Sequence, residues 1–278
     1  MEKTIEKFNI QLQRSAKNFV KQDFYEKETE IEIGKLLLNP TSIAWSLGVM
    51  TFLLIFANSA ALLADYLTGY NSMVIHKLVK FFYVELELNA PAFFSTLLLL
   101  FASLLLAIIT VLKKKQTASF VLYWSILSIG FLFMAFDEIA AVHERLIEPM
   151  QAILGEQNLG VFYFAWVVPA VALVVCLGIF FLRFLINLPV KTRWTFLIAA
   201  TMYLGGAVGL EMVEGWYSEI NGRETLLYIT LTTLEETLEM VGTIVFIWAL
   251  LGYIADAYEK VEVRFGAEGS NRKSEKSL

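Results

Sequence analysis

The run LLYITLTTLEETLEMVGTIVFIWALLGYIADA (residues 226–257) decides how this chain folds. It holds no lysine, arginine or histidine, yet Glu235, Glu236 and Glu239 sit inside it among apolar and hydroxylated neighbours. As a helix it rises about 48 Å, more than the ~30 Å hydrocarbon layer of a bilayer, so it projects from the membrane or tilts. Five more runs reach spanning length: Ile43–Leu67, Pro91–Leu112, Ala118–Leu146, Val161–Leu188 and Trp194–Trp216. They are continuous and leucine-rich, without the alternation of a membrane barrel.

Composition agrees. The 278 residues are 57% hydrophobic and 18% charged, with a mean hydropathy of +0.61. Soluble domains carry about a quarter charged residues. A net charge of −5 argues against nucleic acid as a partner. The single cysteine, Cys176, excludes a disulfide framework and a thiolate zinc site, and two histidines, His76 and His143, exclude an all-histidine one.

The expected fold is all-α: a polytopic bundle of six transmembrane helices (42–258), an amphipathic N-terminal segment (1–41) and a flexible tail (259–278). Ile5, Phe8, Leu12, Ala16, Phe19 and Val20 recur at helical spacing, as in a helix lying on a membrane or under the bundle. Segment 70–90 reads as a short amphipathic interfacial helix. Lys113, Lys114, Lys115, Arg183, Lys191 and Arg193 fall at one end of the spans, which by the positive-inside rule puts both termini in the cytoplasm of a cell (plasma) membrane.

The chemistry lies in the acids. The third span carries Asp137, Glu138, His143 and Glu144; the fifth carries Glu211 and Glu214; the sixth carries Glu235, Glu236 and Glu239. At ~1.5 Å per residue the three runs, pointing in alternate directions, bring these groups to one level near the non-cytoplasmic surface. On an ideal helix Asp137, Glu144 and Glu148 share one line within about 20°, whereas His143 lies ~120° from Asp137 and joins only if the helix end distorts. An acid in a membrane span costs on the order of 3 kcal/mol and normally finds a partner. Arg145 and Arg223 cannot neutralise eight carboxyls, so either several carry protons or a cation sits among them. Asn58 and Asp65 on the first span are weaker candidates for the rim. Trp166 and Pro169 read as a lipid contact and a kink, and Gly205 and Gly209 as a helix-packing face.

Oxygen-dominated ligands favour a divalent metal ion, or two, drawn from calcium, manganese and iron, with zinc admitted by one histidine. The expected ligands are Asp137, His143, Glu211, Glu214, Glu235 and Glu239, with Glu138, Glu144 or Glu236 as a general base. The Glu-x-x-His pairs of ferritin-like bundles and the His-Glu-x-x-His zinc-protease helix are both absent. The leading expectation is a metal-dependent membrane hydrolase or oxidoreductase acting on a lipid or lipid-soluble substrate. A divalent-cation transporter or channel is the first alternative, and a calcium- or proton-responsive sensor the second. Membrane lipids and a divalent cation are the expected partners, and a second copy or partner subunit could complete the site.

Overall fold

The computed structural model of the protein describes residues 39–116, 118–155 and 158–257. The expected amphipathic stripe from Ile5 to Val20 and the tail 259–278 lie outside the described residues. Among the described residues eight α-helices follow in order: α1 Pro40–Leu67, α2 Met73–Phe82, α3 Ala90–Lys115, α4 Val121–Ala140, α5 Ile147–Leu154, α6 Val167–Ile186, α7 Val190–Asn221 and α8 Leu226–Ala257. Among the described residues there is no strand. Six of the helices (α1, α3, α4, α6, α7 and α8) are long and apolar enough to cross a membrane. The protein is an all-α membrane bundle.

Local sequence explains the elements. Asn89 caps α3 by accepting from the Ala92 backbone N–H at 3.2 Å, and Pro91 follows where no helical N–H is needed. Lys113, Lys114 and Lys115 close the same helix at its negative dipole end. The buried residues of α1, namely Thr51, Leu54, Asn58, Ala61 and Asp65, recur every three or four positions and form one seam, which faces α8. The amphipathic helix expected within 70–90 is α2.

α3 and α8 form the centre, with 56% of each apolar window buried, against 11–22% for the other four spans. Around them Leu106, Ile109, Met240, Ile247 and Leu250 pack with Trp124 and Phe184, all almost fully buried. On the outside, large side chains such as Phe52, Ile179 and Leu182 are exposed, as a lipid-facing surface requires.

Of the span limits, two differ most from expectation, while the fifth span runs four to five residues longer at each end, Val190–Asn221 rather than Trp194–Trp216. The third span ends at Ala140, not Leu146, because Ala141 adopts a left-handed conformation (φ 45°, ψ 47°) and turns the chain back. Such a residue costs about 1–2 kcal/mol, offset here by bonds to Asp137 described below. The fourth span starts at Val167, not Val161, since Gly160–Phe162 forms a separate 3-10 turn.

Candidate functional site

With six spans, the segments 68–89, 141–166 and 222–225 share one end of the bundle, and the acids cluster in sequence near that end. Their side chains divide into three groups rather than meeting at one point.

The first group straddles the break after α4. Asp137 Oδ1 accepts from the His143 backbone N–H at 3.0 Å, and Asp137 Oδ2 lies 2.7 Å from His143 Nδ1. The left-handed Ala141 thus brings His143 over Asp137, the distortion its inclusion required. The same break removes Glu144 and Glu148 from the line of Asp137: Glu144 lies on a 3-10 turn, Glu148 on α5, and both are exposed. The Trp166 ring stands 4.7 Å from the His143 ring, and Trp166 Nε1 donates to Glu211 Oε1 at 2.9 Å. Trp166, expected to face lipid, therefore links the dyad to α7. Burial pulls the His143 pKa down, but the bond and charge of Asp137, with Glu211 and Glu144, raise it overall above the ordinary 6.5.

The second group is Glu211 and Glu214 on α7 with Glu235 on α8. Glu235 stands within hydrogen-bonding reach of both other carboxyls. Glu214 Oε2 accepts from Thr232 Oγ1 at 3.0 Å, while Glu214 Oε1 is buried without a donor. Facing carboxylates offer only acceptors, so a proton or a cation must lie between them. Among the described residues no lysine or arginine forms an ion pair with any of these acids.

The third group lies deeper. Glu239 faces Tyr203 and Glu138, and Glu236 lies nearest Glu239 and Glu138. This arrangement depends on a π-helical turn, Gly205–Leu210, inside α7. Such turns are frequent at functional sites. The wider turn moves the packing position: a Cβ on Gly206 would sit 2.8 Å from the Glu235 carbonyl oxygen, whereas Gly205 has nothing within 4 Å. The expected Gly205/Gly209 packing face is thus replaced by Gly206, with Gly242 of α8 meeting the Tyr203 backbone nitrogen just as closely.

Sequence reading also missed participants. Glu85, in the segment after α2, accepts from Tyr228 Oη at 2.9 Å and from the Tyr83 hydroxyl. Burial, with the Glu85 carboxyl, pushes the Tyr83 hydroxyl pKa up and keeps it a donor. Glu219 receives the Leu159 and Gly160 backbone N–H groups at 2.8 and 2.7 Å, which pins the loop before α6. No spacing rule links these residues. Asn58 donates to Thr233 at 3.3 Å, and Asp65 is buried with Oδ1 unpartnered.

Among the described residues no group of three or more His, Cys, Asp or Glu side chains is arranged to hold a metal ion. The six expected ligands do not converge on one centre: Asp137 and His143 engage each other, Glu239 turns to Tyr203, and Glu211 to Trp166.

Fold and site define a polytopic helical membrane protein with buried acids at one end. Residues 46–254 match the family described as Domain of unknown function (DUF8692), and the chain belongs to that family. No curated protein and no solved structure matches it.

Proposed function

We propose that the protein is a membrane enzyme acting on a lipid or lipid-soluble substrate at the His143 end of the bundle. Glu211, Glu214 and Glu235 would be the residues to hold a divalent cation, if their carboxyls drew together, and the ion would supply Lewis-acid activation of a water; His143 takes the proton. The carrying observation is the posture of His143: Asp137 holds its backbone N–H and its Nδ1, which fixes the ring and leaves Nε2 for proton transfer. His143 is only half-buried, as a base that meets substrate must be. In a hydrolysis, water oxygen bonds to the substrate's acyl or phosphoryl centre, its proton passes to Nε2, and the leaving oxygen receives that proton as its bond breaks.

The one-sidedness of the polar interior supports a fixed centre over a conducting path. In the opposite half the hydroxyls of Ser46, Thr110, Ser125 and Thr195 all bond carbonyls of their own helices. They offer no stepping stones to an ion. The transporter reading draws on one observation, the donor-free Oε1 of Glu214 beside Glu235, where a cation could exchange for a proton. The lysines and arginines near 113–115 and 183–193 favour the cytoplasm for their end, and with it the chain termini.

The test is purified full-length protein with Mn²⁺ in phosphatidylethanolamine–phosphatidylglycerol vesicles, with lipid products followed by mass spectrometry. Turnover is expected to fall about 10²–10⁴-fold in His143→Ala. The neutral imidazole is the base, so the rate rises with pH through the folded pKa, above 6.5, and is lost as pH falls. Asp137→Asn moves that limb to lower pH. The Asp137–His143 attraction itself stabilises the fold below the ordinary histidine pKa and fades as pH rises through the raised one. Manganese flux across the vesicle wall without lipid turnover overturns the enzyme and favours transport.

A further inference from the structure

We propose a second cation site, in the cavity between α3, α4, α7 and α8, where Glu138, Glu239, Tyr203 and Ser95 offer an oxygen shell to one hard divalent cation of the calcium or manganese class. It is separate from the Glu211, Glu214 and Glu235 group and does not depend on the enzymatic reading.

Ser95 carries the inference. A serine in a membrane helix ordinarily bonds the carbonyl four residues back. Its immediate neighbours follow that habit: Thr96 bonds the Ala92 carbonyl at 2.9 Å, and Thr243, across the cavity, bonds the Glu239 carbonyl at 2.9 Å. Ser95 does not. It is only 7% exposed, its Oγ has no partner, and it lines the cavity with Glu138, Tyr203 and Glu239. Leaving a buried hydroxyl unsatisfied is unfavourable, so its unused lone pairs point to an occupant.

Size and charge select that occupant. The cavity is about 10 Å³, the room of a single water-sized particle. Once deprotonated, Glu138 and Glu239 would bring two negative charges, and among the described residues no lysine or arginine forms an ion pair with either, so one doubly charged ion balances both. All four donors are oxygen, which selects hard cations over copper or cadmium. Leu98, Leu99, Met240 and Thr243, whose hydroxyl is already engaged, wall the rest of the cavity and leave no place for a hydration shell. Mg²⁺, which gives up its waters reluctantly, is disfavoured relative to Ca²⁺ and Mn²⁺.

The experiment measures Mn²⁺ and Ca²⁺ binding to the full-length protein in nanodiscs, by equilibrium dialysis and by Mn²⁺ paramagnetic resonance. Glu138→Gln and Glu239→Gln should each weaken binding at this site at least tenfold, and Ser95→Ala several-fold, while Glu235→Gln leaves it within twofold. Ser95→Cys places a thiol in the shell and should raise the preference for Cd²⁺ over Mn²⁺ about tenfold or more. Ser95→Ala and Ser95→Cys change little volume and remain decisive if a glutamate variant does not fold. A wild-type protein that binds neither ion overturns the proposal. So do unaltered affinity in Ser95→Ala with unaltered metal preference in Ser95→Cys, or loss of all binding in Glu235→Gln alone.

Discussion

The two ends of this bundle are built from opposite materials. Around Trp124 the rings of Phe184, Phe196 and Tyr253 pack at 5.0, 6.1 and 5.1 Å between centroids, and the nearby Ser125 hydroxyl bonds the Val121 carbonyl of its own helix at 3.0 Å. At the other end Glu214 and Glu235 are as buried as core leucines, yet face each other with no lysine or arginine ion-paired to either among the described residues. The same helices, α7 and α8, supply both ends. Aromatic packing is therefore concentrated away from the acids, and an anchored aromatic end is what would let α7 and α8 tolerate them.

Removing the strongest apolar anchor tests that division hardest. Trp124 is 1% exposed, and Trp124→Ala is expected to cost about 3–5 kcal/mol in reversible unfolding from mixed micelles. The pH titration of His143, read through quenching of Trp166 fluorescence, should keep its midpoint. A loss under ~1 kcal/mol, or a displaced midpoint, would show that the ends are not separable in this way.

A smaller perturbation at the acid end should show the reverse pattern. Gly206→Ala drives a methyl to 2.8 Å from the Glu235 carbonyl oxygen and 3.1 Å from Glu239 Cγ, and backbone cannot swing aside as a side chain can. The expected cost is about 1–3 kcal/mol, with altered Trp166 emission because α7 carries Glu211. A variant as stable as wild type with unaltered emission would mean that α7 and α8 do not need their close approach.

How much of this was legible in the sequence follows the same division. The six spans could be read because membrane helices are set by length and hydropathy alone, and α8 was found with its full limits. The direction in which their side chains point could not. One left-handed residue, Ala141, reversed the chain so that His143 reached Asp137 and Glu144 left the helix line. One π turn moved the contact from Gly205 to Gly206. The first rests on side-chain bonds that an unbroken helix would not allow, the second on packing against α8, so helical angles computed from an ideal repeat fail at those two positions. Glu85 and Tyr228, 143 residues apart, leave no local trace at all.

The smallest expected effect lies midway between the two ends, at α3 and α4. Ser103 Oγ donates to the Ser128 carbonyl at 2.8 Å, and Ser128 Oγ donates to the Ser103 carbonyl at 3.0 Å, a reciprocal clasp between helices. Interhelical hydrogen bonds in membranes are worth about 0.6 kcal/mol on average, because the unfolded helix finds partners of its own. Ser103→Ala should cost about that amount, and Ser103→Ala with Ser128→Ala less than twice it, since each single change already breaks part of the same clasp. Trp124 packing and the His143 titration should both be unmoved. If the double variant instead shifts the His143 midpoint, the clasp transmits strain between the ends, and the aromatic and acidic halves form one cooperative unit rather than two.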